Sequence, residues 1–231
     1  VDTDQTPARA ATIVNGRRCA MHESDLILTP PMCWHGHINE TDRRIIWFDA
    51  ANIPLLRQLD ANFFEPGDPK ANEFWQVDEG DEKLWAESGM AGADLASAPA
   101  HSPKYHYSGA AMRRLLAALP AGPDGAHTLR YTNPATGGAV MPALDCYAVR
   151  LPKGRTTRPK RTTCNMICLV VSGSGRSTVG EHSFDWSQHD VFSIPHWTFA
   201  SHTAIDGDAS LFIVSDRSAF ERLDLLREEL Q

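Results

Sequence analysis

His35 and His37, separated by one residue, are the first place along this chain where side chains could do chemistry together. They sit in the run Cys33-Trp34-His35-Gly36-His37-Ile38-Asn39. Residues i and i+2 of a strand share a face, so both imidazoles can project to one side. Imidazole is a ligand for iron, zinc, copper and nickel, and it titrates near neutral pH. The pair could therefore supply one metal ligand and, beside it, a group that moves protons. By spacing alone the same pair also reads as two solvated histidines of a hairpin, the more frequent use of such a motif.

The elements that must position these rings are legible because the chain repeats itself. Residues 12–49 and 177–216 follow one pattern: a short β-branched strand, a tight turn, an Asp leading an alternating apolar run to a Pro, then an aromatic, a His, a polar hairpin and an apolar strand closed by an Asp. The turns are Asn15-Gly16 and Gly180-Glu181. Asp25 and Asp190, Pro30 and Pro195, and His37 and His202 each stand 165 residues apart. Beyond the hairpin, pairing Asp49 with Asp216 lengthens the offset to 167. Short alternating strands with frequent turn signals predict an all-β architecture of barrels or sandwiches. At an offset of 165, His35 is matched by Ala200, so only the first copy keeps both histidines. Helix is predicted over Pro54–Phe64, which opens with Pro, and over Gly109–Leu119, rich in helix formers. Residues 65–105 read as a long irregular crossing, and strands resume from Thr128 to Val171 around a turn at 133–138.

Composition narrows the function classes. The 231 residues carry a net charge of −7, with 42% hydrophobic and 22% charged residues, which argues against a nucleic-acid surface. No apolar run approaches the ~18 residues of a membrane span. Five cysteines, Cys19, Cys33, Cys146, Cys164 and Cys168, form no CxxC pair and read as reduced thiols of a cytoplasmic protein. Val1 opens the chain without a Met or a domain-opening signal, as expected of a processed chain or of a piece of a longer one. His101, His106 and His127 read as surface or capping residues. The six Trp residues, among them Trp75 and Trp85, read as strand-face or barrel-lip bulk.

Several runs together resemble one family. Ser24-Asp25-Leu26-Ile27-Leu28-Thr29-Pro30 followed by the Trp34-His35-Gly36-His37-Ile38-Asn39 stretch is similar to the second motif of cupins, and more narrowly to that of the gentisate and salicylate 1,2-dioxygenases. Residues 49–65, the run 129–142 with its Thr132-Asn133-Pro134-Ala135-Thr136-Gly137-Gly138 core, and the tail 215–229 fit the same family. The resemblance implies a bicupin of double-stranded β-helix barrels with a partly helical connector and an incomplete first barrel. Residues 1–65 would be the C-terminal portion of the first cupin, 66–127 the connector, and 128–231 a second cupin with a degenerate metal site.

The resemblance also implies a mononuclear Fe(II) held by three histidines. His35 would be one ligand, and two further histidines are expected upstream of Val1. His37 would face substrate or dioxygen, and Asp49 would support the site by bonding a ligand imidazole. In the second copy the matching ligand pair falls on Lys160 and Thr162. The implied activity is ring opening of gentisate or salicylate with O2 in a homo-oligomer, a homotetramer by family likeness. A second reading is a catalytically inactive bicupin that binds a small molecule or serves assembly.

Overall fold

The computed structural model describes residues 9–67 and 100–231. The expected irregular crossing therefore falls largely outside the described residues, as do Trp75 and Trp85. The chain divides into two compact units, Val1–Ala111 with Asn133–Gly138, and Met112–Thr132 with Ala139–Gln231. Among the described residues strand outweighs helix in both, and helix is confined to three short pieces.

In the first unit β1 (Ala10–Val14) is the middle of a three-stranded sheet, between β2 (Arg17–Ala20) and β4 (His35–Asn39). All five residues of β1 are buried. The two-residue turn Asn15-Gly16 joins β1 to β2, and both residues have positive φ, 46° and 81°, the geometry of the hairpin turn that Asn-Gly favours. β3 (Leu26–Ile27) pairs with β5 (His106–Tyr107). The helix expected over Pro54–Phe64 is shorter: α1 spans Ile53–Gln58. It stops because Asp60 turns left-handed at φ 51° and the N–H of Ala61 reaches back to the carbonyl of Leu56, an ending that satisfies the last carbonyls. The second expected helix is present as α2 (Gly109–Ala118).

The second unit holds two five-stranded sheets. One runs β11 (His182–Ser187), β10 (Ser174–Val179), β13 (Ala200–Ala204), β8 (Lys160–Thr162) and β15 (Glu228–Leu230). The other runs β12 (Val191–Ile194), β9 (Met166–Ser172), β14 (Ala209–Ser215), β7 (Asp145–Leu151) and β6 (His127–Arg130). Trp186 and Ala204 from the first sheet join Val149, Leu151, Val170 and Leu211 from the second in one core cluster. A short helix, α3 (Arg217–Arg222), follows β14.

The repeat is written into the backbone. Positive φ recurs 165 residues apart at Ser24 and His189 (67° and 75°) and at Met32 and Trp197 (61° and 53°). Non-glycine residues rarely take this conformation, so the matched pairs mark one folding pattern used twice. Two expectations need correction. The apolar run at residues 44–49 is not a strand, although its counterpart β14 is. β14 is held between β7 and β9; the offset carries β9 onto residues 1–7, outside the described ones, and β7 to positions before Val1. Without partners in the described residues, the run has no ladder to join. The helices α1 and α3 lie 164 residues apart, so Asn52, rather than Asp49, is the counterpart of Asp216. Ile46 is 84% exposed and Phe64 82%.

Candidate active site

β4 is anchored at its start by Asn15. The Asn15 backbone N–H donates to the Trp34 carbonyl at 2.8 Å, and the Trp34 N–H donates to Asn15 Oδ1 at 2.9 Å. Antiparallel pairing then sets Val14 opposite His35 and Thr12 opposite His37. The alternation of β4 places His35 and His37 on the same face, with ring centroids 6.0 Å apart in a T-shaped arrangement. Both rings are exposed. At the offset of 165 residues, the equivalent face of β13 lines a cavity walled by β7, β9 and β14; of these walls, only the counterpart of β14 falls wholly on described residues, and it is not a strand.

His35 Nδ1 lies 3.3 Å from the Cys33 carbonyl. A proton on Nδ1 would point at that acceptor and leave the Nε2 lone pair free, the arrangement that suits a metal ligand. His37 Nδ1 lies 3.0 Å from the Thr12 hydroxyl, and its ring rests 4.8 Å from that of Trp47. Desolvation lowers the His37 pKa, the Asp49 charge opposes that shift and the His35 ring adds to it. Asp49 itself accepts a hydrogen bond from Trp47 Nε1 at 3.1 Å; it acts on His37 through its field and the indole between them. His35 thus fits one corner of a metal site. The described residues hold no cluster of three or more His, Cys, Asp or Glu side chains that could close one.

The second unit repeats this geometry with one corner changed. Ser177 takes the place of Thr12, 2.7 Å from His202 Nδ1, while Ala200 stands where His35 does. The residue behind the hydroxyl also differs. Thr12 Oγ1 lies 3.6 Å from the Met21 thioether, a weak acceptor. Ser177 Oγ instead accepts from Trp186 Nε1 at 2.8 Å.

No family model matches the chain. Among curated proteins it is 35% identical to a 5-aminosalicylate 1,2-dioxygenase of Comamonas sp over 94% of its own length and 59% of that protein. It is 32% identical to a gentisate 1,2-dioxygenase of Aquipseudomonas alcaligenes over 95% and 64% of the two. The salicylate 1,2-dioxygenase of Pseudaminobacter salicylatoxidans superposes with a TM-score of 0.86 at 31% identity, over 96% of this chain and 66% of that one. This chain is a relative of the gentisate and salicylate 1,2-dioxygenases. It has their cupin fold, and it spans less than two thirds of the length of these relatives. A variant of the salicylate enzyme in complex with gentisate superposes at 0.88. Among the described residues of this dioxygenase relative, no helix is long and apolar enough to cross a membrane.

Several residues that shape the site were not singled out in the sequence. Thr12 could have been found by pairing the strand before the Asn-Gly turn with the His-bearing strand; Trp47, two residues from Asp49, gave no signal of its own. His106, expected to be a surface or capping residue, instead meets Asp25 Oδ2 at 2.8 Å across 81 residues.

Proposed function

We propose that this chain carries part of the active site of an Fe(II)-dependent dioxygenase that opens the ring of a hydroxybenzoate, gentisate or salicylate, with O2. The supporting observation is the asymmetry between two otherwise matched units: both keep a hydroxyl-bound histidine, His37 and His202, and only the first sets a second imidazole, His35, beside it. The identities of 32–35% with ring-cleaving relatives support the same reading. In this proposal residues 1–65 belong to the first cupin, 66–127 connect, and 128–231 form the second cupin.

His35 would hold the iron through Nε2, with Nδ1 fixed by the Cys33 carbonyl, and the further ligands would come from residues other than those described. Fe(II) would supply the open positions at which substrate and dioxygen are brought together. His37 would handle protons. The Thr12 hydroxyl can either donate to Nδ1 or accept from it, because its other neighbour is only a thioether. Both tautomers of His37 are therefore supported, and Nε2 can give or take a proton. Desolvation keeps the ring neutral near pH 7, and Asp49 limits how far its basicity falls. The protein would act as a homo-oligomer in the cytoplasm.

Metal analysis and oxygen uptake on gentisate and salicylate, made on the full gene product, test this. Iron and substrate-dependent oxygen consumption should both be lost in His35→Ala and kept in His202→Ala. Absence of iron binding and turnover in the unaltered protein, or equal losses in the two variants, would overturn it.

A further inference from the structure

The proposed reaction makes no use of the interior of the second unit. That interior holds a cavity of about 150 Å³. Val149, Leu151, Leu211 and Ile213 give it apolar walls, and Arg158, Lys160, Arg217, Asp124 and Glu228 also line it. A cavity of this order accommodates a single six-membered ring.

The polar groups lining it are not balanced in kind. Glu228 is shared by Lys160 at 3.0 Å and Arg217 at 2.8 Å, and Glu221 takes another edge of Arg217 at 2.8 Å. Arg158 donates to the carbonyl of Pro123 and to an oxygen of Gln231, the last residue given; among the described residues no side-chain carboxylate pairs with it. Asp124 accepts from the N–H of Ala126 rather than from a cation. One guanidinium thus has no side-chain carboxylate, and one ammonium shares its carboxylate with Arg217.

His202 adds a directed donor. Ser177 Oγ accepts from Trp186 Nε1, and His202 Nδ1 is the acceptor that its own proton finds among the described residues; donation to Nδ1 is the arrangement that leaves neither group unpaired. In that arrangement the ring proton sits on Nε2, the edge for which the described residues offer no hydrogen-bond partner, and the ring lines the cavity. In the first unit Met21 replaces Trp186, and this constraint is absent.

We infer that the second unit binds a small carboxylate with an apolar ring-sized body. The body lies among Val149, Leu151, Leu211 and Ile213, the carboxylate meets Arg158 and Lys160, and His202 offers its Nε2–H to an oxygen of the ligand. The site lies apart from His35 and His37 in sequence and is independent of iron.

Benzoate is the probe, with benzamide as its uncharged shape control, titrated by calorimetry and by ¹⁵N-imidazole NMR on the apo chain. Benzoate should saturate with a Kd in the millimolar range or tighter, shift the His202 resonance, and bind at least 5-fold more tightly than benzamide. Lys160→Met should weaken it about 5-fold, and Ala200→Leu, which fills the cavity, should abolish it. His35→Ala should leave it unchanged, which separates this site from the proposed catalytic one. The inference fails if benzoate and benzamide bind alike, if saturation leaves the His202 signal unmoved, or if His35→Ala removes binding. The NMR arm uses the unaltered protein, so a variant that does not fold cannot shelter the idea.

Discussion

Ser177 Oγ lies 2.7 Å from His202 Nδ1, the acceptor its hydroxyl proton finds among the described residues while the oxygen accepts from Trp186, an arrangement that leaves the ring proton on Nε2. Burial then pushes the His202 pKa down to about 4, with the Asp124 charge opposing the shift. NMR should therefore show a neutral Nε2–H imidazole at pH 6, where an ordinary histidine is largely protonated. Since the folded value lies below the unfolded one near 6.5, the unfolded chain takes up the extra proton. Stability is full above pH 6.5 and declines as pH falls towards 4, by up to about 3 kcal/mol. His202→Gln should flatten that decline in pH-dependent denaturation.

Asp25 is the organising carboxylate of the first unit. Burial would raise its pKa, but hydrogen bonds from His106, the Gly109 N–H and the His22 N–H outweigh that and hold it below its ordinary value. Its contribution is present above the unfolded value near 3.8 and is lost as pH falls through the folded value. Asp25→Ala should cost about 2–4 kcal/mol at neutral pH by leaving buried donors unpaired, read as a lowered denaturant midpoint with unchanged slope.

Gly175 and Trp186 share one volume. A Cβ on Gly175 would meet the Trp186 ring at 2.3 Å and the Thr203 carbonyl at the same distance. In the first unit the corresponding residues are Ala10 and Met21, a larger residue facing a smaller one. Gly175→Ala should destabilise by about 3 kcal/mol. Adding Trp186→Met should recover part of that loss, giving a coupling energy of about 1 kcal/mol in a double-mutant cycle. The recovery should be incomplete, because the carbonyl clash stays.

Thr12 is buried and touches His37 only through its hydroxyl among polar contacts. If His37 moves protons in the proposed reaction, Thr12→Val should lower kcat about tenfold and shift the pH profile of kcat. Iron content should not change. A loss of iron in step with activity would mark Thr12 as merely structural.

Much of the fold was legible before any coordinates. The 165-residue repeat, the Asn15-Gly16 hairpin and α2 all rest on local signals: turn chemistry, alternation and helix-forming composition. The shared face of His35 and His37 followed from strand periodicity alone. What could not be read depended on partners distant in sequence. The run 44–49 has a strand's composition, yet strand is a property of pairs, and its partners are not among the described residues. The Asp25–His106 contact joins residues 81 apart by a geometry that no local pattern encodes. The tautomer contrast between His37 and His202 hangs on Met21, which no motif singles out, and on Trp186, which reads in sequence as strand-face or barrel-lip bulk.

The exposed side chains of Ile46 and Phe64 have a practical corollary. Hydrophobic dyes such as ANS report loosened packing in most proteins, but here they will find oily surface on a chain whose strands are intact. Bright fluorescence from a fresh preparation is therefore no sign of a molten state, and near-ultraviolet circular dichroism is the better guide to whether a preparation is native.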